Sequence, residues 1–439
     1  MSLAQLIEDA ARDNASTAAI AGDDPVTYSE LRRNAASVAS RLRRGDRHFI
    51  QLPNGAEWLA EFWGAMLAGA IAVPLNPRGK PDEIAYVKEH ASRPTAIPPD
   101  VAVVLYTSGT TGRPKGVMLS HDALVLNGRN HAAAYELQPG DAIFVPNPFT
   151  HILGLVVGCV APAAAGYTVV TQPSFDPDGA LRLIARWKPV GLLGAPPHFQ
   201  MLASHPDLAR FDLTSVRWGF SGAAAQSPHA IMRVVERLAL EALMNGYGMT
   251  EASGGISHTS LDDPLEIHAS TIGRPWPWIE TRVVDGELWI RSSSLMLGYY
   301  DDREATAATI DQDGWLQTGD LIEIGEDGRL RFQGRLKEMI NCGGLKVYPA
   351  EVERVLMTHP AVSSAAVVGA PDERLGEAPI AFLVLQAGSR LDEAELQAFC
   401  EERLSGYKVP RRFQSVDALP TNSAGKVQKY LLRELAARV

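Results

Sequence analysis

Residues 106–116 read YTSGTTGRPKG, and no other stretch of the chain is so dense in hydroxyls, glycines and positive charge. Thr107, Ser108, Thr110 and Thr111 offer side-chain hydroxyls, Gly109, Gly112 and Gly116 let backbone approach a ligand, and Lys115 supplies charge. The apolar run VAVVL at 101–105 precedes the stretch and reads as a buried strand. A strand feeding such a loop presents several N–H groups to one anion, so the stretch reads as a polyphosphate-binding loop. A flexible turn would need neither four hydroxyls nor a lysine. A Walker A loop is excluded, because Gly116 follows Lys115 where that motif needs Ser or Thr.

Outward from the loop, helical and strand patterns alternate. Helices are predicted over 3–12, 29–43, 54–70, 81–90, 121–135, 178–187, 197–204 and 228–240, with strands at 71–74, 142–145, 190–193 and 216–220. The helix at 54–70 starts near Asn54 and buries Trp58, Leu59, Phe62 and Met66. From residue 280 the period changes to two, giving antiparallel strands at 281–284, 287–291 and 329–333 with Asp-Gly turns at 285–286 and 327–328. Residues 340–439 form an α+β unit, with helices at 349–357 and 392–404 and strands at 362–369 and 378–385. The expected fold is therefore α/β. A large domain of layered sheets with a β-rich subdomain (1–333) is followed by a polar hinge, GRLKE (334–338), and a small mobile α+β domain (339–439).

The 439 residues are 46% hydrophobic and 21% charged, as in ordinary globular chains. A formal charge of −10 argues against a general nucleic-acid or acidic-membrane binder, so any anionic ligand needs a local site. Cys159, Cys342 and Cys400 lie far apart without CxxC spacing, which points to a reducing, cytoplasmic setting and no structural zinc. The first residues carry acids and lack an apolar core, so no signal peptide is expected. The uncharged stretch 152–170 approaches membrane-spanning length, but Gly158, Pro162 and Gly166 divide it into a buried helix, a turn and a strand. No membrane span is expected.

Five further pieces follow the loop. Small residues at 222–225 after a strand leave room for a flat ligand. Residues 247–251 (YGMTE), on a predicted loop, offer an aromatic, a hydroxyl and a carboxylate suited to a base, a phosphate and Mg²⁺. Thr318-Gly319-Asp320 reads as a turn whose carboxylate can accept bonds from ribose hydroxyls. Residues 341–346 (NCGGLK) follow the hinge with a Gly-Gly pair. Residues 420–429 (PTNSAGKVQK) present Lys426 as a deliverable point charge.

In this order the motifs resemble the adenylate-forming superfamily of acyl-CoA synthetases, carrier-protein adenylation domains and beetle luciferases. The resemblance runs from VTY at 26–28 to Lys426 and includes GELWIRSSSLMLGYY, DGWLQTGD and GRLKEMINCGGLKVYPAEVE. It implies that Thr107, Ser108, Gly109, Thr110, Thr111, Gly112 and Lys115 hold the β- and γ-phosphates of ATP. Gly222, Ala223, Ala224, Tyr247 and Gly248 would form the adenine side, Thr250 would meet the α-phosphate, and Glu251 would bind Mg²⁺. Asp320 and Arg335 would hold the ribose, and Lys337 would mark the hinge. Lys426 would contact the substrate carboxylate and α-phosphate during adenylation, and Gly343 and Gly344 would line the pantetheine tunnel during thioester formation.

The implied reaction joins a carboxylic acid to ATP as an acyl adenylate, with pyrophosphate leaving, and then passes the acyl group to a thiol. Coenzyme A is the expected acceptor. A carrier-protein pantetheine is the alternative, and a non-catalytic nucleotide-binding relative is a third reading. His151 falls near the implied acyl pocket with Gly246 and Gly254, as pocket wall or gate or as a structural hydrogen-bonding group. Thr150 follows Phe149 where amino-acid-activating relatives carry an aspartate, so an apolar aryl or fatty monocarboxylate is expected. The chain departs from the family pattern between His90 and Val101, where it is markedly shorter, and 45–51 also looks trimmed.

Overall fold

The computed structural model describes every residue except 23, 108–113, 223–227, 387, 422–426 and 437–439. Its largest sheet has nine strands. Strands Ala242–Met249, Trp218–Ser221, Gly191–Gly194, Ala142–Phe144, Thr168–Val170 and Ala18–Ala21 lie side by side in parallel. Antiparallel strands close its edges, Gly254–His258 with Arg274–Pro275 at one end and Val26–Thr27 at the other.

Alternate residues of these strands feed two cores, as a two-residue period dictates. Ile143, Val169, Leu193 and Met244 pack with helices Leu3–Asp13 and His121–Ala134, whereas Phe144, Val170, Leu192 and Leu243 pack with Pro177–Trp187, Pro196–Ala203 and Pro228–Leu238. Both faces are covered, which is why these strands read as short, continuous apolar runs.

A second sheet holds Arg47–Ile50, Ile71–Pro74 and Val101–Thr107 in parallel, with Lys115–Ser120 antiparallel to the last. The third is an antiparallel meander of Glu280–Val284, Glu287–Arg291, Leu316–Ile324 and Leu330–Arg335. The small domain carries the fourth, in which Val362–Asp372 and Gly376–Leu385 form a long antiparallel pair beside helix Pro349–Leu356. Strands Ile340–Cys342, Leu345–Val347 and Arg412–Ser415 and helix Lys429–Ala436 complete that unit beyond what the pattern predicted.

Three expectations need correction. Residues 246–249 are strand rather than loop, and only 250–252 form a turn. Asp320 lies inside strand Leu316–Ile324 rather than in a turn. The stretch 152–165 is one helical run with a π-turn at Val156–Val160, and it ends at Gly166 (φ +71°) rather than at Pro162. Pro162 sits inside this run, just after the π-turn, and does not end it. No helix among the described residues is long and apolar enough to cross a membrane.

The shortened connector 92–100 is pinned from outside. Tyr300 Oη donates to the Arg93 carbonyl at 2.6 Å, and Asp301 receives Thr95 Oγ1 at 3.0 Å and Arg93 at 3.3 Å.

Candidate active site

Strands Val101–Thr107 and Lys115–Ser120 pair in a hairpin whose last register pair is Thr107 and Lys115. Ser108, Gly109, Thr110, Thr111 and Gly112 lie between them, outside the described residues. The returning strand was not foreseen. Gly116 must be glycine, because a Cβ there would come within 2.9 Å of Val104 Cγ1 and 3.0 Å of the Tyr106 ring.

Segment 296–300 binds this hairpin to the YGMTE stretch. Tyr300 N donates to Gly116 O at 2.7 Å, Leu297 N to Met118 O at 2.9 Å, and Met296 N to Glu251 O at 2.8 Å. The Tyr299 hydroxyl donates to Glu251 Oε1 at 2.9 Å, and Lys115 Nζ lies 4.9 Å from the centre of the Tyr299 ring. Burial, reinforced by the Glu251 charge, raises the Tyr299 phenol and keeps it a donor. A cation, an aromatic ring and a carboxylate thus form a chain from the loop end to Glu251. Tyr299 was not singled out from sequence, since it lies in a bend without periodicity.

Glu251 is the protein's candidate for Mg²⁺. One of its oxygens is held by Tyr299, and the bond leaves the carboxylate acceptor capacity for a hard cation. Among the described residues no group of three or more His, Cys, Asp or Glu is arranged to hold a metal. A magnesium ion here would therefore take its other oxygens from phosphates and water.

Four residues before Glu251, Tyr247 Oη donates to Asp320 Oδ2 at 2.6 Å, while Asp320 Oδ1 lies 3.2 Å from Arg335 Nε. Asp320 and Arg335 are register partners on adjacent strands, and Thr318 Oγ1 accepts from Asp320 N at 3.1 Å. The three expected base and ribose residues are therefore assembled, with Asp320 only 5% exposed. Gly222 follows strand Trp218–Ser221, and a Cβ added there would meet nothing closer than 3.5 Å. Ala223 and Ala224 lie outside the described residues. Gly248 is dictated by packing, since its Cβ would lie 2.1 Å from Gly254 O.

Lys337 sits in the turn Leu336–Glu338. Burial, then Arg335, pulls its ammonium below the ordinary lysine range, against Glu338, Asp320 and Glu251. That places the expected hinge residue within electrostatic reach of both site carboxylates. Gly343 and Gly344 are exposed and left-handed (φ +60° and +87°), and a Cβ on Gly343 would meet only Leu375 of its own domain. This arrangement does not bring them to the other site residues. Lys426 lies outside the described residues.

His151 precedes helix Ile152–Leu155, and burial lowers its imidazole, which favours the neutral form. Asn54, two residues before helix Ala56–Ala68, also clamps this region. Its Nδ2 donates to Asn147 O at 2.9 Å and its Oδ1 accepts from Phe149 N at 2.9 Å. Leu153 approaches the open side of Gly222, and Val156 approaches Gly254. Gly246 packs on Phe220, whose ring a Cβ would meet at 2.1 Å. Phe220, Leu153 and Val156 thus supply apolar surface around Gly222, Gly246 and Gly254, beside the Tyr247–Glu251 stretch.

Known proteins match the chain over nearly all of its length. The sequence matches the family described as AMP-binding enzyme over residues 6–97 and 90–300. It matches the AMP-binding enzyme C-terminal domain over 351–426. The two pieces of the first match meet at the shortened connector. A Mycobacterium tuberculosis protein named 3-[(3aS,4S,7aS)-7a-methyl-1,5-dioxo-octahydro-1H-inden-4-yl]propanoyl:CoA ligase is 36% identical, covering 95% of this chain and 96% of its own. The o-succinylbenzoate CoA synthetase of Bacillus subtilis, solved with its acyl-adenylate intermediate, superposes with a TM-score of 0.86 at 26% identity, covering 98% of this chain and 97% of its own. ATP-bound MatB of Rhodopseudomonas palustris gives 0.89 at 28% identity, with 99% of each chain covered.

Proposed function

The chain belongs to the AMP-binding enzymes and carries their C-terminal domain, and from that membership we propose how its residues divide the work of an AMP-forming acid–CoA ligase. The enzyme uses ATP, Mg²⁺ and coenzyme A to convert a carboxylic acid to its acyl adenylate and then to a thioester. The observation that carries the assignment of roles is the continuous link from Lys115 through Tyr299 to Glu251, with the Tyr247–Asp320–Arg335 array four residues away.

A carboxylate is a poor acyl donor because its leaving group would be oxide. Attack of its oxygen on the α-phosphorus of ATP forms the C–O–P bond and breaks the α–β bridge, so pyrophosphate leaves with that electron pair. Thr107 to Lys115 hold the β- and γ-phosphates, and Thr250 donates to the α-phosphate. Glu251 would hold a magnesium ion, which would offset the charge of the phosphates. Tyr247, Asp320 and Arg335 fix the nucleoside, which converts the encounter into an oriented one. Lys426 brings a positive charge to the carboxylate and α-phosphate, where charge develops.

Residues 1–333 form the large domain, 334–338 the hinge, and 339–439 the small domain. Gly343 and Gly344 are exposed in the present arrangement, so thioester formation requires rotation at Lys337 to bring them to the site. The acyl group goes to the free thiol of coenzyme A rather than to a carrier protein, and the acid is an apolar aryl or fatty monocarboxylate. Thr150 beside Phe149, and the apolar surfaces of Phe220, Leu153 and Val156, support that choice.

A panel of carboxylic acids, read by pyrophosphate and AMP release with and without coenzyme A, tests this. Acid-dependent release that coenzyme A accelerates is expected. Release unaffected by coenzyme A for every accepted acid would favour a carrier protein.

A further inference from the structure

Helix Pro81–Ala91 ends beside the hairpin of Val101–Thr107 and Lys115–Ser120, and His90 joins the two. Its Nδ1 shares a 2.7 Å hydrogen bond with the hydroxyl of Tyr106, one residue before Thr107. The imidazole is 8% exposed, stacks on Tyr86 at 5.4 Å, and stands edge-on to the rings of Tyr106 and Tyr300 at 5.8 and 5.5 Å. Tyr106 itself packs against the core of Val87, Val104, Met118 and Tyr300. Two phenylalanines would fill such a place without taking polar groups out of water. A hydrogen bond adds what apolar packing lacks, a fixed direction.

The contacts close into a circuit. Tyr106 faces Gly116 across the hairpin, and a Cβ on Gly116 would lie 3.0 Å from the ring carbon that carries the Tyr106 hydroxyl. Gly116 O accepts from Tyr300 N at 2.7 Å, and Tyr300 Oη donates back to the carbonyls of Ala91 and Arg93 at 3.2 and 2.6 Å. Both strands of the hairpin are thus tied to the end of one helix, one register pair before Thr107 and Lys115. The tie sits where the chain is shortened, since the two pieces of the family match overlap at 90–97 and the second begins at His90. Burial, then Arg93, lowers the His90 imidazole against Asp301, Asp302 and Glu89, and burial raises the Tyr106 phenol. The bond therefore joins two neutral groups at pH 7.

We infer that His90 is a positioning residue, whose bond to Tyr106 sets the direction in which the hairpin presents Thr107 and Lys115 to the β- and γ-phosphates of ATP. The inference rests on the ligase reading and deepens it, because His90 touches no substrate and acts through Tyr106. Its effect falls on the half-reaction that handles those phosphates. Transfer of the acyl group from a preformed adenylate to coenzyme A involves neither phosphate and does not need the bond. A residue that merely holds the fold together would affect both half-reactions alike.

The test measures KM for ATP in adenylate formation and KM for pyrophosphate in its reversal, neither of which depends on how much enzyme is folded. His90→Leu and Tyr106→Phe should each raise both values by about tenfold, the loss of one buried hydrogen bond at a site that must be oriented. Thioester formation from preformed acyl adenylate and coenzyme A should stay within about twofold of the wild type in the same variants. His90→Asn, whose amide sets a polar atom where the imidazole has Nδ1, should restore the wild-type KM values. If His90→Leu fails to fold, Tyr106→Phe, which removes a single oxygen, decides alone. Unchanged KM values in Tyr106→Phe, equal loss of both half-reactions, or an Asn variant as impaired as the Leu variant would overturn the inference while leaving the ligase reading intact. A wild type that forms no adenylate from any acid would overturn the ligase reading, and the inference with it.

Discussion

The ammonium of Lys429 lies 2.8 Å from the Glu338 carboxylate, tying the start of the last helix to the hinge turn. A second carboxylate, Glu353, lies 2.7 Å away, and Lys429 is only 14% exposed. Lys429 stands three residues after Lys426 in the sequence, and its ammonium joins the last helix, the turn Leu336–Glu338 and helix Pro349–Leu356 in one charged knot.

Lys429→Met should therefore destabilise the small domain by about 2 kcal/mol, because it leaves two largely buried carboxylates facing each other. Burial lowers the Lys429 ammonium, but Glu353 and Glu338 outweigh it and raise the group above its ordinary value. A raised lysine stabilises the fold below its unfolded-state pKa, and that contribution is lost only as pH climbs through the raised value. Chemical denaturation at pH 7 and at strongly alkaline pH checks both points. Identical unfolding midpoints for wild type and variant at pH 7 would contradict the knot.

Asp320→Ala should leave Tyr247 Oη and Arg335 without their shared acceptor. The expected result is a rise in KM for ATP of tenfold or more, from the loss of charge-assisted bonds worth about 1.5–3 kcal/mol. Tyr247→Phe removes one bond and should cost less. Steady-state kinetics varying ATP at saturating acid decide it, and a larger loss in Tyr247→Phe than in Asp320→Ala would reverse the proposed order.

His131 gives the acid-side prediction. Burial, with a smaller push from His258, lowers its pKa to about 3. Above the unfolded-state value of about 6.5 both states leave the imidazole neutral and it has no effect on stability. Below that pH the unfolded chain takes a proton that the folded chain refuses, so stability falls toward pH 3 by up to about 1.4 kcal/mol per unit. His131→Gln should flatten that slope by one proton, measured as unfolding free energy against pH between 6.5 and 5. An unchanged slope would place His131 in a more polar setting.

Lys337→Pro separates the half-reactions. The turn at Leu336–Glu338 must change its backbone angles if the small domain rotates, and proline fixes φ. Acyl-adenylate formation should persist while thioester formation from it is lost. Unchanged thioester turnover would remove the hinge from this position.

The layered fold was legible because the strands of the main sheet are buried on both faces and announce themselves as apolar runs. The connections misled where glycine was taken for a turn. Gly246 and Gly248 lie in a strand paired with Gly254–His258 and are glycine because Phe220 and Gly254 O crowd their Cβ positions, a reason that exists only after folding. Gly319, at φ +70°, sits inside strand Leu316–Ile324, whose pairing with Leu330–Arg335 overrides the local turn signal of Thr-Gly-Asp. The motif residues were legible by resemblance, yet Tyr299 and Asn54, which hold them in place, were not.

In the proposed mechanism the acyl adenylate forms in a step that needs Lys426. Acid-dependent exchange of labelled pyrophosphate into ATP, in wild type and Lys426→Ala, measures that step without coenzyme A. Exchange in the wild type with an accepted acid, abolished in the variant while thioester formation from preformed acyl adenylate survives, is the predicted result. Exchange retained in Lys426→Ala, or both steps lost equally, would contradict it.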